Sequence, residues 1–183
     1  RVLNLQNTFN EANTSYYHSS IGGYHGAKLR RYQDLIENII TNERSKIISK
    51  LQNNNIDFSD LNTLNMLNTG YIKFNESKKG VIKNNFSNGN AWFISKLNKV
   101  NSPIEELNLL KSINTKNEAI IDVSKFGNFS YNDTYSNDGK IEILEYFPNK
   151  IKLKTYNNSI SFIVFSEIYY PKGWNLLING NNK

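Results

Sequence analysis

The chain has no cysteine, and only three prolines, one methionine and two histidines in 183 residues. Without cysteine there is neither a disulfide framework nor a thiolate metal site, so packing and hydrogen bonds alone must hold the fold. With only two imidazoles, a zinc site would have to borrow carboxylates, so no metal and no cofactor is expected. Also missing is any apolar run of the ~20 residues that cross a bilayer. The longest candidate, Ile160 to Tyr170, is interrupted by Ser161, Ser166 and Glu167. No basic stretch followed by a short apolar run reads as a secretory signal. The chain starts at Arg1 rather than at a methionine, which reads as a piece trimmed from a longer protein.

Arginine and alanine are scarce, four of each, whereas roughly one residue in six is asparagine and lysine and isoleucine abound. The three abundant types share A- and T-rich codons, so much of the net charge of +6 and the pI near 9.3 reads as compositional drift. The lysines are scattered and no recognition motif accompanies them, so nucleic acid is not an expected partner. Residues that need G- or C-rich codons stand out against this background. Gly22, Gly23, Gly26, Ala27, Arg30 and Arg31 crowd into ten positions, and His18 and His25 lie in or beside the same stretch.

The length suits one domain with its own core. Arg1 to Gln6 alternates as a short strand, and the next twenty residues read as loop. From Lys28, apolar residues at Leu29, Tyr32, Ile36, Ile39, Ile40, Ile47 and Leu51 recur at helical spacing, with a break expected near Thr41 and Asn42. Ser59 or Asp60 is the expected cap of a shorter helix through Leu61, Leu64 and Leu67, with Gly70 as its left-handed terminator. Tyr71 to Phe74 reads as a strand, Lys78 to Gly89 as a hairpin, and Ala91 to Val100 as one strand. Ser102, Pro103 and Glu105 spell a capped helix start, and Ala119 to Val123 a strand. Beyond residue 137 the pattern is β: Lys140 to Phe147, Lys150 to Tyr156, Ser159 to Tyr170 and Trp174 to Ile178, separated by turn residues. Ile160 to Tyr170, apolar on both faces near Phe162 to Phe165, is expected to be a covered central strand.

The expected class is α+β. A mixed α/β part spans residues 1–136, with two or three packed helices and a mixed or antiparallel sheet. Antiparallel, sandwich-like strands follow over 137–183.

Chemistry concentrates in Tyr16 to Arg31, YYHSSIGGYHGAKLRR. A glycine loop opening a helix, with Lys28, Arg30 and Arg31 near its N-terminus, is suited to hold an anion. Tyr16, Tyr17 and Tyr24 are suited to stack on a sugar, as is Trp174. The spacing matches neither a phosphate-binding loop nor a dinucleotide fingerprint. The plain alternative is that Arg30 and Arg31 simply pair with Asp34 on a helix surface. Ser19 or Ser20 beside His18 lacks the strained elbow and oxyanion hole of a hydrolase, so no catalytic residue is assigned. Glu167, in the most apolar strand, is expected to form an ion pair with a lysine or arginine.

Two segments, SYYHSSIGGYHGAKLRRYQDLIE (Ser15 to Glu37) and FSEIYYPKGWNLLING (Phe165 to Gly180), together resemble the YfhO family. The stretches LNMLNTGYIKF (Leu64 to Phe74) and NAWFISKL (Asn90 to Leu97) resemble it in the same order. The family's usual ending is Tyr-Tyr-Pro-Gly-Trp followed by Asp-Gly; here Lys172 separates Pro171 from Gly173, and Asn179 stands before Gly180. The resemblance implies a bacterial multi-pass membrane protein similar to GT-C-type glycosyltransferases, with this region as a soluble domain on the outer face of the cytoplasmic membrane. It further implies sugar transfer from a polyprenyl-phosphate carrier to a cell-envelope acceptor, with the catalytic acid in a loop outside this segment. The expected partners are the parent's own transmembrane region and a polyprenyl-phosphate-linked sugar or envelope glycan. The alternative expectation is a non-catalytic carbohydrate-binding module of the cell envelope.

Overall fold

A computed structural model describes residues 1–24, 26–77, 79–127 and 129–182. It is an α+β fold whose strands pair, among the described residues, into several small sheets. No helix among those residues is long and apolar enough to cross a membrane.

The chain opens with β1 (Val2–Asn4), and then α1 (Asn13–Tyr17) interrupts the stretch expected to be loop. The Glu11 carboxylate accepts from the Thr14 N–H at 3.0 Å, holding the start of this short helix. The long amphipathic helix follows as α2 (Arg30–Leu35), a widened π turn (Ile36–Ile40) and α3 (Thr41–Gln52). The expected break near Thr41 is instead this π turn. Thr41 satisfies the Ile36 carbonyl through both its N–H and its hydroxyl, so the helix continues without a gap.

The next helix, α4 (Asn62–Met66), is capped by neither Ser59 nor Asp60. Glu43 of α3 reaches across, and its two carboxylate oxygens accept from the N–H groups of Thr63 and Leu64 at 2.9 and 2.8 Å. A carboxylate twenty residues away has taken the place of a local cap. The left-handed residue after α4 is Asn68 (φ 57°) rather than Gly70. Asparagine tolerates this conformation better than most residues, and here its side chain donates to Asn90 Oδ1, twenty-two residues on.

β2 (Tyr71–Lys73) runs parallel to β1 and antiparallel to β3 (Val81–Lys83), giving a mixed three-stranded sheet. Leu3, Ile40, Ile47, Phe58, Leu61, Leu64 and Ile72 are fully buried between this sheet and the helices, forming the main core.

Ala91 to Val100 is not one strand. β4 (Ala91–Ile94) and β5 (Lys96–Val100) separate at Ser95, where Asn117 O accepts from both Ser95 N and Lys96 N and turns the chain into a second sheet. α5 (Pro103–Leu110) crosses from β5 to β6 (Glu118–Asp122), which runs parallel to it. The expected cap of α5 forms: Ser102 Oγ accepts from Glu105 N, while Glu105 reaches back to Asn101 N instead of Ser102 N. A one-turn helix, α6 (Val123–Phe126), starts on the Asp122 carboxylate.

β7 (Lys140–Phe147) and β8 (Lys150–Tyr156) form the expected hairpin. A bulge between Ile143 and Glu145 lets Glu142 and Glu145, three apart, pair with Lys154 and Lys152 on one face, leaving Ile143 and Tyr146 on the other. Among the described residues β9 (Phe162–Phe165) pairs only with β4, so the expected central strand is a short member of a two-stranded ladder. Trp92, Ile94 and Leu97 anchor a second core there, with Phe162 and Val164 packed on it. Trp174 lies outside any strand, and only β10 (Leu177–Ile178) pairs with β11 (Asn181–Asn182). Asn179 and Gly180 (φ 52° and 81°) make the tight reversal between them.

Candidate functional site

The segment expected to bind an anion is committed to its own architecture. Val2 N donates to Ser19 O and Ile21 N to Val2 O, so residues 19–21 lie along β1. Gly22 N donates to Ser20 Oγ at 3.1 Å, Gly23 N to Thr8 O at 2.8 Å and Tyr24 N to Glu11 O at 2.9 Å. The amides of Gly22, Gly23 and Tyr24 are therefore occupied. The glycines serve packing: a methyl group on Gly22 would lie 1.7 Å from the Thr8 carbonyl oxygen, and Gly23 sits at φ 123°.

The guanidinium groups are also engaged. Arg30 Nε pairs with Asp34 at 2.9 Å, four residues on, in a side chain that is 86% exposed. Arg31 pairs with Glu106 of α5, bridging two helices. Neither arginine converges with the glycine loop on a common cavity among the described residues. His18 is exposed at the end of α1, and the Ser20 hydroxyl that neighbours it is spent on the Gly22 turn. His25 lies outside the described residues. No group of three His, Asp or Glu side chains converges among those described.

What the structure does assemble is a pair of surfaces. α1 presents Tyr16 and Tyr17 edge to face, ring centroids 4.8 Å apart, with exposures of 80% and 72%; Tyr24 is 75% exposed. An open shallow cavity of about 230 Å³ lies nearby in sequence, lined by Ala27, Lys28, Leu29, Tyr32 and Ile168. Trp174 stands beside it, its indole N–H donating to Ile168 O at 3.1 Å. Tyr32 is largely buried, which pushes its phenol up to about 12 and keeps it a neutral donor.

A second open cleft of about 290 Å³, lined by Asn88, Lys116, Asn117, Asn137 and Phe93 among others, is more polar. Gly139 beside it admits no side chain, because a methyl group there would lie 2.6 Å from the Phe93 ring.

Sequence reasoning missed Leu29, Tyr32 and Ile168 as cavity residues because each also reads as ordinary core. It also missed α1, whose only signal is Glu11 shortly before Asn13-Thr14-Ser15. No family model, no curated protein and no solved structure matches the chain.

Proposed function

We propose that this chain is the outward-facing soluble domain of a multi-pass membrane protein resembling GT-C-type glycosyltransferases. In this reading it assists transfer of a sugar from a polyprenyl-phosphate carrier to a cell-envelope acceptor by binding donor or acceptor, and the bond-making groups lie elsewhere in the parent. One observation supports it above the rest. The two segments that carry the family resemblance are some 130 residues apart, yet Ala27, Lys28, Leu29 and Tyr32 of one and Ile168 of the other line a single cavity.

The occupied amides and paired arginines shift the expected recognition from the carrier phosphate to the sugar. Tyr16, Tyr17 and Tyr24 offer rigid rings with hydroxyls at their tips, suited to stack on a pyranose face while bonding its hydroxyls. Tyr16→Ala with Tyr17→Ala in the full-length protein lowers sugar transfer to the acceptor while the circular dichroism of this domain is unchanged. Undiminished transfer in a folded double variant overturns the reading.

The same exposed tyrosines favour a second reading, a carbohydrate-binding module with no catalytic partner. Glycan-array binding by the 183-residue chain that the double variant loses, together with no transfer activity in the parent, selects it.

A further inference from the structure

The stretch after β9 is folded, yet it turns its apolar side chains outward. Gly173 N donates to Tyr170 O at 2.9 Å, Trp174 Nε1 to Ile168 O at 3.1 Å, and the β10–β11 reversal closes the segment. Tyr169, Tyr170, Trp174, Leu176, Leu177 and Ile178 are nevertheless between 39% and 63% exposed. Some exposed apolar residues elsewhere, such as Ile104 between Pro103 and Glu105, stand singly and need no explanation; Tyr16 with Tyr17, and Ile143, Leu144, Tyr146 and Phe147 of β7, interrupted by Glu145, are further exposed groups. Six within the ten residues from Tyr169 to Ile178 of this arm do need an explanation.

Its composition selects the occupant. Tryptophan and tyrosines flank leucine and isoleucine, the pairing of amphipathic rings and aliphatic side chains that suits the boundary between lipid headgroups and acyl chains. After Glu167 the sequence has no Asp or Glu, while Lys172 projects from the turn at the arm's centre, in a chain of net charge +6. That charge complements anionic headgroups. The arm is far too short to span a bilayer, and its two-residue strands leave backbone groups that hydrocarbon cannot satisfy. Its depth is therefore interfacial.

We propose that the Ile168 to Ile178 arm seats on the headgroup layer of an anionic lipid bilayer, with Trp174, Leu176 and Leu177 entering the acyl boundary and Lys172 facing lipid phosphates. This goes beyond the glycan reading, and the side chains its test alters at Leu176 and Leu177 are not among those offered for a glycan.

The chain carries its own probe. Of its two tryptophans, Trp92 is 6% exposed and bonded to Thr115 O, so a change in emission reports Trp174. The 183-residue chain is titrated with vesicles of phosphatidylcholine containing phosphatidylglycerol. Expected are a blue shift that saturates with lipid, its loss in Trp174→Phe, and co-sedimentation that weakens with added salt. Leu176→Ser with Leu177→Ser lowers the vesicle partition coefficient by about tenfold or more, since each loses aliphatic area that the acyl boundary would bury. Ile104→Ser, equally apolar and exposed but outside the arm, leaves it unchanged.

Absence of partition, or equal partition of the serine pair, overturns the proposal. So does a blue shift that needs no lipid and grows with protein concentration, which assigns the arm to a second copy of the chain. Glycan binding that fails while vesicle partition survives sinks only the glycan reading, and the reverse outcome sinks only this one.

Discussion

Arg1 Nη2 donates to Glu167 Oε2 at 2.9 Å, tying the first residue of the chain to the segment that leaves β9. The same guanidinium donates to Leu67 O at 3.0 Å, and Tyr146 of β7 donates its hydroxyl to Glu167 Oε1 at 2.6 Å. One carboxylate thus joins the main core to the β7–β8 hairpin. The ion pair expected for Glu167 is formed, at the end of the strand where it is only partly desolvated. Glu167→Ala leaves a largely buried guanidinium short of a partner and is expected to cost about 1–3 kcal/mol in urea unfolding. Amide exchange should accelerate most in the hairpin; equal protection there would show that Glu167 is not its anchor.

Alkali weakens the fold through two phenols. Tyr32 is pushed up to about 12 by burial, with the charge of Arg1 opposing, and Tyr146 is raised by burial and by its bond to Glu167. Both bind their protons more tightly folded than unfolded. The stability they contribute is complete below pH ~10 and falls as pH rises through their folded values, by up to about 3 kcal/mol for Tyr32. Tyr32→Phe flattens the decline in midpoint denaturant concentration between pH 9 and 11 if this assignment holds.

Glu43 supplies a test in acid. Burial raises its pKa, and the N–H groups of Thr63 and Leu64 only partly oppose that shift. A raised folded value means that its contribution is larger at low pH and shrinks as pH rises through that value. The difference in unfolding free energy between wild type and Glu43→Gln should therefore narrow on going from pH 4 to pH 7. Glu43→Ala strips α4 of its cap and is expected to cost about 1–3 kcal/mol near pH 4, a difference that narrows toward pH 7 in the same way. A gap that widens with pH would refute the sign.

Two glycines of one loop should answer oppositely. Gly22→Ala drives a methyl into the Thr8 carbonyl and is expected to lose about 2–4 kcal/mol, whereas Gly26→Ala meets no atom within 4 Å and should change the thermal midpoint little. Equal midpoints for the two variants would mean that the loop relaxes freely.

Local patterns were legible where the decisive groups are neighbours in sequence. Ser102, Pro103 and Glu105 announce α5, and the turn at Asn179-Gly180 appears where those residues demand it. The pairing of Arg30 with Asp34, four residues apart on a helix, was readable as the plain alternative to ligand binding. The glycine cluster was also legible as special, but not for its reason. Gly22 is required because Thr8, fourteen residues earlier, folds onto it, and no local pattern encodes that approach.

By itself, then, the sequence determined the α+β class, the amphipathic helix from α2 to α3, the β7–β8 hairpin and the concentration of aromatic and basic side chains in two segments. Periodicity, caps and turns act over a few residues, so their physics is written in the order of the chain. Tertiary structure alone decided that Glu43 caps α4, that Ser95 divides a strand between two sheets, and that Arg31 is neutralised by Glu106. It also decided that Ile168 lines an open cavity with Leu29 and Tyr32. Each of these depends on which distant groups burial brings within bonding distance, and so on the packing of the whole chain.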